Sequence, residues 1–402
     1  MVLSKKTLAA AAERFGTPLY VYSAEAVRAR VVEFSTAFSA LPHVVCYALK
    51  ANPNAALCRL IAREGAGADV VSGGELWRAL RAGFPPRRIV FSGVGKTEEE
   101  IAFGLRSGIL MFNAESEEEI GVMERVARRL KKKLPLSIRI NPDIDAGSHP
   151  HITTGKAENK FGIALANAPW AYRRAARSKA FELAGAQIHL GSQITSPEPY
   201  KRSLKVLLDI VHQLKAQGIR LHYVDIGGGW GVPEDGGRQR PIADLAKAVI
   251  PMLKGSPLTL LLEPGRCIVA DAGVLVTRVL YRKQSRSKRF IVVDAAMNDL
   301  IRPTLYGAKH PIVALSGGRG PRLKADLVGP VCESGDFLAQ DEVLEWPQPG
   351  ALYAVLNAGA YGFSMSSQYN SRPRAAEVLA EGKTLKLVRK RETWQDLVRN
   401  EL

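Results

Sequence analysis

The 402-residue chain has only four cysteines, Cys46, Cys58, Cys267 and Cys332, and no CxxC pair. That spacing excludes a zinc ribbon and a disulfide framework, so reduced thiols and no metal site are expected. Long hydrophobic runs are missing as well. The longest aliphatic patches, such as Leu258 to Leu262, have the length of a strand, far short of the ~20 apolar residues a membrane helix needs. At the N-terminus Glu13 and Arg14 break a short apolar run, and no small-residue cleavage site follows, so a cytoplasmic, membrane-free protein is expected. Acidic residues are few beside basic ones, 39 against 56, which gives a formal charge of +17. Such a balance suits nucleic-acid binding, yet the basic runs Arg125 to Lys133 and Arg282 to Arg289 have no interleaved aromatics and read as solvated faces and loops. No nucleic-acid partner is expected, while an anionic substrate or cofactor is compatible with the charge.

What is present is ordinary globular material, 46% hydrophobic and 24% charged residues, in a chain too long for one small domain. Between residues 43 and 263, short apolar or β-branched runs alternate with helical patterns. The candidate strands are Val44 to Leu49, Ala68 to Val71, Ile89 to Ser92, Ile109 to Phe112, Leu136 to Ile140, Ala184 to His189, Leu221 to Ile226 and Thr259 to Leu262. Eight such βα units predict an α/β fold, a closed (β/α)8 barrel. After Glu263 the pattern changes to alternating strands with Gly, Pro and Asn turns (Val274 to Leu280, Phe290 to Val293, Ala351 to Leu356, Thr384 to Val388), which predicts an all-β C-terminal domain. Pro18 to Tyr22 is strand-like and precedes the barrel. The expected division is 1–25 joining the β domain, 26–265 forming the barrel and 266–402 forming the β domain.

Active sites of such barrels lie where strands end, so the strand ends carry the functional reading. Strand one ends in Lys50. Strand six ends in His189 followed by Leu190-Gly191-Ser192, strand seven in Asp225-Ile226-Gly227-Gly228-Gly229, and strand eight in Glu263-Pro264-Gly265-Arg266. Taken singly, Lys50 would pass for a snorkelling surface lysine, His189 for a core histidine and the glycine triplet for a turn. Together they differ. Backbone N–H groups of a glycine triplet can approach a phosphate, with an arginine to neutralise it, at the loops after strands seven and eight where barrels commonly bind phosphate. A buried carboxylate at Glu263 can hold a ring nitrogen protonated, Lys50 can form a Schiff base, and His189 offers a flat face. That set of parts suits pyridoxal 5'-phosphate.

The chain resembles the fold-type III pyridoxal-phosphate decarboxylases, the alanine-racemase-like fold, and within them the branch acting on meso-diaminopimelate. The resemblance runs through YALKAN at 47, ADVVSGGEL at 68, FSGVGKT at 91, NPDIDAGSHPHITTGKAENKFGI at 141 and HLGSQ at 189. It continues through EPGR at 263, VDAAMNDLIRPTLYGA at 293, VGPVCESGD at 328 and AGAYGFSMSSQYNSRPR at 358. The stretch Trp230 to Ala248 is shorter than the family usually shows, and Cys267 stands where a serine is more usual. The resemblance implies that Lys50 carries the cofactor, that His189 stacks on its ring and that Glu263 pairs with its nitrogen. Ser192, Gly228, Gly229, Gly265, Arg266 and Tyr361 are then expected around its phosphate. Arg266, Arg302, Tyr306 and Tyr361 would face substrate, while Cys332, the expected proton donor, and Glu333 would arrive from the second subunit of a homodimer. The implied reaction is decarboxylation of meso-2,6-diaminopimelate to L-lysine and carbon dioxide.

Three alternatives stand beside that reading. A decarboxylase of ornithine, arginine or lysine would share Lys50, His189, Glu263 and Cys332, but a cationic substrate tail wants a carboxylate and no arginine, whereas Arg302 with Glu333 supplies both signs. A non-catalytic relative that binds the cofactor is the second. A nucleic-acid-binding protein is the third, supported only by net charge.

Overall fold

The computed structural model describes residues 1–145, 154–155, 158–234, 237, 239–316 and 320–402, so part of the motif beginning at Asn141 lies outside the described residues. The chain divides into two compact units: Ala29–Gly231 with Arg240–Cys267, and Met1–Arg28 with Val232–Gln239 and Ile268–Leu402. Val232–Gln239, which falls inside the expected barrel range 26–265, groups with the second of these.

The first unit is a parallel barrel. Its eight strands are His43–Ala48, Gly67–Val70, Ile89–Phe91, Met111–Ala114, Leu134–Asn141, Phe181–Gln187, Tyr223–Asp225 and Thr259–Leu262. Each pairs with the next, and the eighth closes on the first through Leu261↔Val44. The pairs are short because helices start and stop sharply between them. Ser72, Thr97 and Ser116 each accept an N–H in the first turn of the helices Gly73–Ala82, Glu98–Ser107 and Glu117–Leu130. Acidic residues crowd the first turns of the last two helices, where the helix dipole favours them. Inside the barrel Cys46, Val90, Met111, Ala184 and Leu261 form one apolar cluster. Arg125, Arg128 and Arg129, from the first basic run, project from the outer helix with side chains more than half exposed and pair with Glu98 and Glu124.

The second unit is built on a mainly antiparallel sheet. Its order is Phe337–Glu345, Arg322–Val328, Arg289–Val293, Gly273–Gln284, Leu19–Ser23, Ala376–Glu381 and Thr384–Arg389, with Leu352–Val355 and Ile312–Ala314 branching from Gly273–Gln284. The N-terminal strand sits in mid-sheet, Val21 opposite Val274 on one side and Val378 on the other. Its core gathers Leu8, Leu19, Val21, Val274, Val276, Ala354 and Val378. No helix among the described residues is long and apolar enough to cross a membrane.

Candidate active site

At the C-terminal ends of the barrel strands the interior changes from apolar to polar, and every strand contributes. Lys50 follows strand one and Asp69 lies on strand two. Ser92 follows strand three, Asn113 lies on strand four and Arg139 on strand five. Gln187 ends strand six, Asp225 ends strand seven and Glu263 follows strand eight. Apart from Lys50, all of these are buried.

Lys50 lies in a single 3-10 turn, Leu49–Ala51, and donates from Nζ to Asp69 Oδ2 at 2.6 Å. Asp69 has no exposed surface while the lysine side chain is 35% exposed, so one end of the pair is fixed and the amine is reachable. Glu263 Oε1 accepts from Gln187 Nε2 at 2.6 Å and more weakly from Ser92 Oγ, itself a 3.0 Å acceptor for Asn113 Nδ2. Burial first, then the neighbouring carboxylates Asp225 and Asp69, push the Glu263 carboxyl well above the ordinary carboxylate range. Asp225 is raised by burial to about 6, and its Oδ1 accepts the Gly227 N–H at 2.8 Å. Asp69 Oδ1, Asp225 Oδ2, Gln187 Oε1 and Asn113 Oδ1 are buried acceptors without a hydrogen-bond partner. The raised Glu263 and Asp225 carboxyl groups make a pocket that retains protons and favours a protonated ring nitrogen.

His189 Nδ1 accepts the Gly228 N–H at 3.1 Å, which puts its proton on Nε2. Burial, then Arg139 and Lys50, hold the imidazole well below its usual pKa, so the ring is neutral. Arg139 is itself paired with Glu115 at 2.9 Å. The glycine triplet also meets a packing requirement that its sequence does not reveal. A Cβ on Gly228 would lie 2.0 Å from the carbonyl oxygen of Glu263, and one on Gly229, with φ +97°, 2.1 Å from that of Gly191. These glycines are required because neighbouring strand ends press against them, whatever else their N–H groups bind. Gly265 likewise packs against Ala48 and Ala51. Arg266 donates through Nε and Nη2 to Ser192 Oγ at 3.2 and 3.1 Å, uniting two residues expected at the phosphate.

The remaining expected residues lie in the second unit. Arg302 is 5% exposed. Its Nη2 donates to Glu234 at 3.0 Å and its Nη1 to His310 Nε2 at 2.8 Å, while its buried Nε has no partner. Tyr306, four residues on, is half-buried, as is Tyr361, whose φ is +54°. Cys332 and Glu333 are exposed. The Cys332 N–H donates to Asn370 Oδ1, and Glu333 accepts from the Tyr369 hydroxyl. Sequence reasoning passed over Asp69, Gln187, Asp225, Glu234 and His310. For the first three a signal existed, one polar residue at the end of each otherwise apolar barrel strand; for Glu234 and His310 there was none.

A barrel whose polar mouth sets an amine against buried carboxyl groups, with a mainly β second unit, defines the barrel class of pyridoxal-phosphate enzymes. The family model for the pyridoxal-dependent decarboxylase, pyridoxal binding domain, matches residues 24–270. Curated relatives narrow this further. Diaminopimelate decarboxylase of Pseudomonas aeruginosa is 50% identical over 391 residues, covering 97% of this chain and 94% of that protein. The Aquifex aeolicus enzyme is 46% identical over 390 residues, 96% and 92% of the two chains. The crystal structure of the Helicobacter pylori enzyme complexed with L-lysine has a TM-score of 0.93 at 43% identity, covering 96% of each chain. The chain belongs to the diaminopimelate decarboxylase family. A lysine/ornithine decarboxylase of Vibrio vulnificus shares the fold alone, at 22% identity and a TM-score of 0.82.

Proposed function

We propose that this chain is a pyridoxal-phosphate-dependent carboxy-lyase that converts meso-2,6-diaminopimelate to L-lysine and carbon dioxide. The observation that carries the reading is the Lys50–Asp69 pair beside the buried Glu263 and Asp225 carboxyl groups, in a chain 46–50% identical to diaminopimelate decarboxylases over nearly its whole length. The residues present fit the cofactor: a reachable amine, a neutral imidazole, a buried Glu263 carboxyl held well above its ordinary pKa and an arginine joined to Ser192. When bound, pyridoxal phosphate supplies the sink for the electrons left as carbon dioxide departs. Lys50 would hold it covalently, His189 would flank its ring and Glu263 would keep its nitrogen protonated. Ser192, Gly228, Gly229, Gly265, Arg266 and Tyr361 would take its phosphate.

Arg266, Arg302, Tyr306 and Tyr361 face the substrate carboxylates, and Glu333 receives the distal ammonium. The thiol of Cys332 delivers a proton to the carbon that has lost its carboxylate. In this reading Cys332 and Glu333 serve the barrel of a partner subunit, so the working form is a homodimer. Four cysteines without a disulfide support a reducing, cytoplasmic setting. The buried guanidinium of Arg302, with one donor unengaged, favours a substrate whose far end carries a carboxylate over one with a purely cationic tail.

Carbon dioxide release from a panel of meso-diaminopimelate, lysine, ornithine and arginine tests the substrate; a preference for ornithine or arginine would move the chain to the rival group. Lys50→Ala should lose the cofactor absorption near ~420 nm and nearly all activity while melting as the wild type does. A surviving band would assign the cofactor to another lysine.

A further inference from the structure

Two consecutive non-glycine residues of the second unit, Asn370 and Ser371, have left-handed backbones, with φ +56° and +53°. That conformation is unfavourable for residues with a Cβ and persists where its surroundings impose it. The contacts show what it achieves. Asn370 Oδ1 accepts the Cys332 N–H at 2.8 Å, and the hydroxyl of Tyr369 donates to Glu333 Oε2 at 2.6 Å. On its other side the same loop is held by Asp336, whose carboxylate accepts the N–H groups of Val331 and Met297, each at 2.7 Å. Cys332 and Glu333 are thus exposed yet anchored from two directions, which an exposed loop without a task does not need.

We propose that Tyr369 and Asn370 are positioning residues for the Cys332–Glu333 pair: Asn370 fixes the backbone that aims the thiol, and Tyr369 fixes the carboxylate that receives the distal ammonium. This rests on the reading of Cys332 and Glu333 given above. Bonding to Glu333 raises the Tyr369 hydroxyl above its ordinary pKa, so it stays a donor at neutral pH.

The two roles separate kinetically in the holoenzyme. Tyr369→Phe should raise KM for meso-diaminopimelate by ~10-fold with kcat within about 2-fold of wild type. Asn370→Gly tolerates the left-handed backbone but lacks the acceptor, and should lower kcat by ~10-fold with KM little changed. Asn370→Asp keeps the acceptor oxygen and should recover most of that loss. Labelling gives an independent readout, since Cys332 alone of the four cysteines is exposed. Iodoacetamide should alkylate it several-fold faster in Asn370→Gly than in wild type or Asn370→Asp. Unchanged KM in Tyr369→Phe, or unchanged kcat and labelling in Asn370→Gly, overturns the positioning role. A Cys332→Ala variant that keeps wild-type kcat would instead overturn the proton-donor reading beneath it.

Discussion

Asp299 carries a carboxyl that burial pushes from its ordinary 3.8 up to about 7. One oxygen accepts the Ala296 N–H at 3.0 Å and the other has no partner. In the unfolded chain the group ionises near 3.8, so between that value and about 7 the native state holds a proton the unfolded state has lost. Stability therefore falls as pH rises through this interval, by on the order of 4 kcal/mol in all. Asp299→Asn keeps an acceptor for Ala296 and has nothing to ionise. The variant should gain on wild type steadily through that window and be the more stable protein above it, in melts run at pH values on either side. Parallel pH profiles would remove Asp299 as the source. At the same scale, the site was legible where chemistry broke an apolar pattern at a strand end, as Lys50, His189 and Glu263 do. Asp69 and Asp225 were passed over although each is a lone polar residue at or near the end of its strand, because a buried aspartate reads the same whether it binds an amine or caps a turn.

Among elements, the barrel strands announced themselves because both faces are buried and each run is short and apolar between capped helices. Four strands of the second unit did not: Ile312–Ala314, Arg322–Val328, Phe337–Glu345 and Ala376–Glu381. Arg322–Val328 and Phe337–Glu345 pair with one another, and Lys324, Asp341 and Glu342 on them face solvent, which dilutes the alternation a strand is read from. The loop after barrel strand seven, expected at a phosphate, also satisfies close packing, with Gly228 and Gly229 against the carbonyls of Glu263 and Gly191. Both contacts are backbone on backbone, so no rotamer relieves them. Gly228→Ala should shift Glu263, lower the melting temperature by several degrees and weaken cofactor binding by ~10-fold or more, read by absorbance titration. Gly218 provides the control: it has φ +80° but nothing within 4 Å of its Cβ position, so Gly218→Ala carries the backbone strain without the clash. Equal effects of the two on cofactor binding would show that packing against Glu263 is not what matters.

For the whole molecule, the decisive division is that Lys50, His189 and Glu263 belong to one compact unit, while Arg302, Cys332 and Glu333 belong to the other. The family resemblance expects Cys332 and Glu333, though not Arg302, to serve a neighbouring subunit, and complementation can test that. Suppose Lys50→Ala and Cys332→Ala homodimers are each inactive, and equal amounts are co-refolded so that subunits pair at random. Half of the dimers are then mixed. If sites are shared, a mixed dimer has one site lacking both Lys50 and Cys332 and one site with both intact, so activity should return to ~25% of wild type. If each chain instead completes its own site, every site lacks one of the two residues and no mixture regains activity. A third outcome, recovery that falls on dilution, would still mean shared sites but in a dimer that dissociates at assay concentration. Absent recovery in a sample whose mixed dimers are demonstrated by mass would therefore retire the shared-site reading and return Cys332 and Glu333 to the barrel of their own chain.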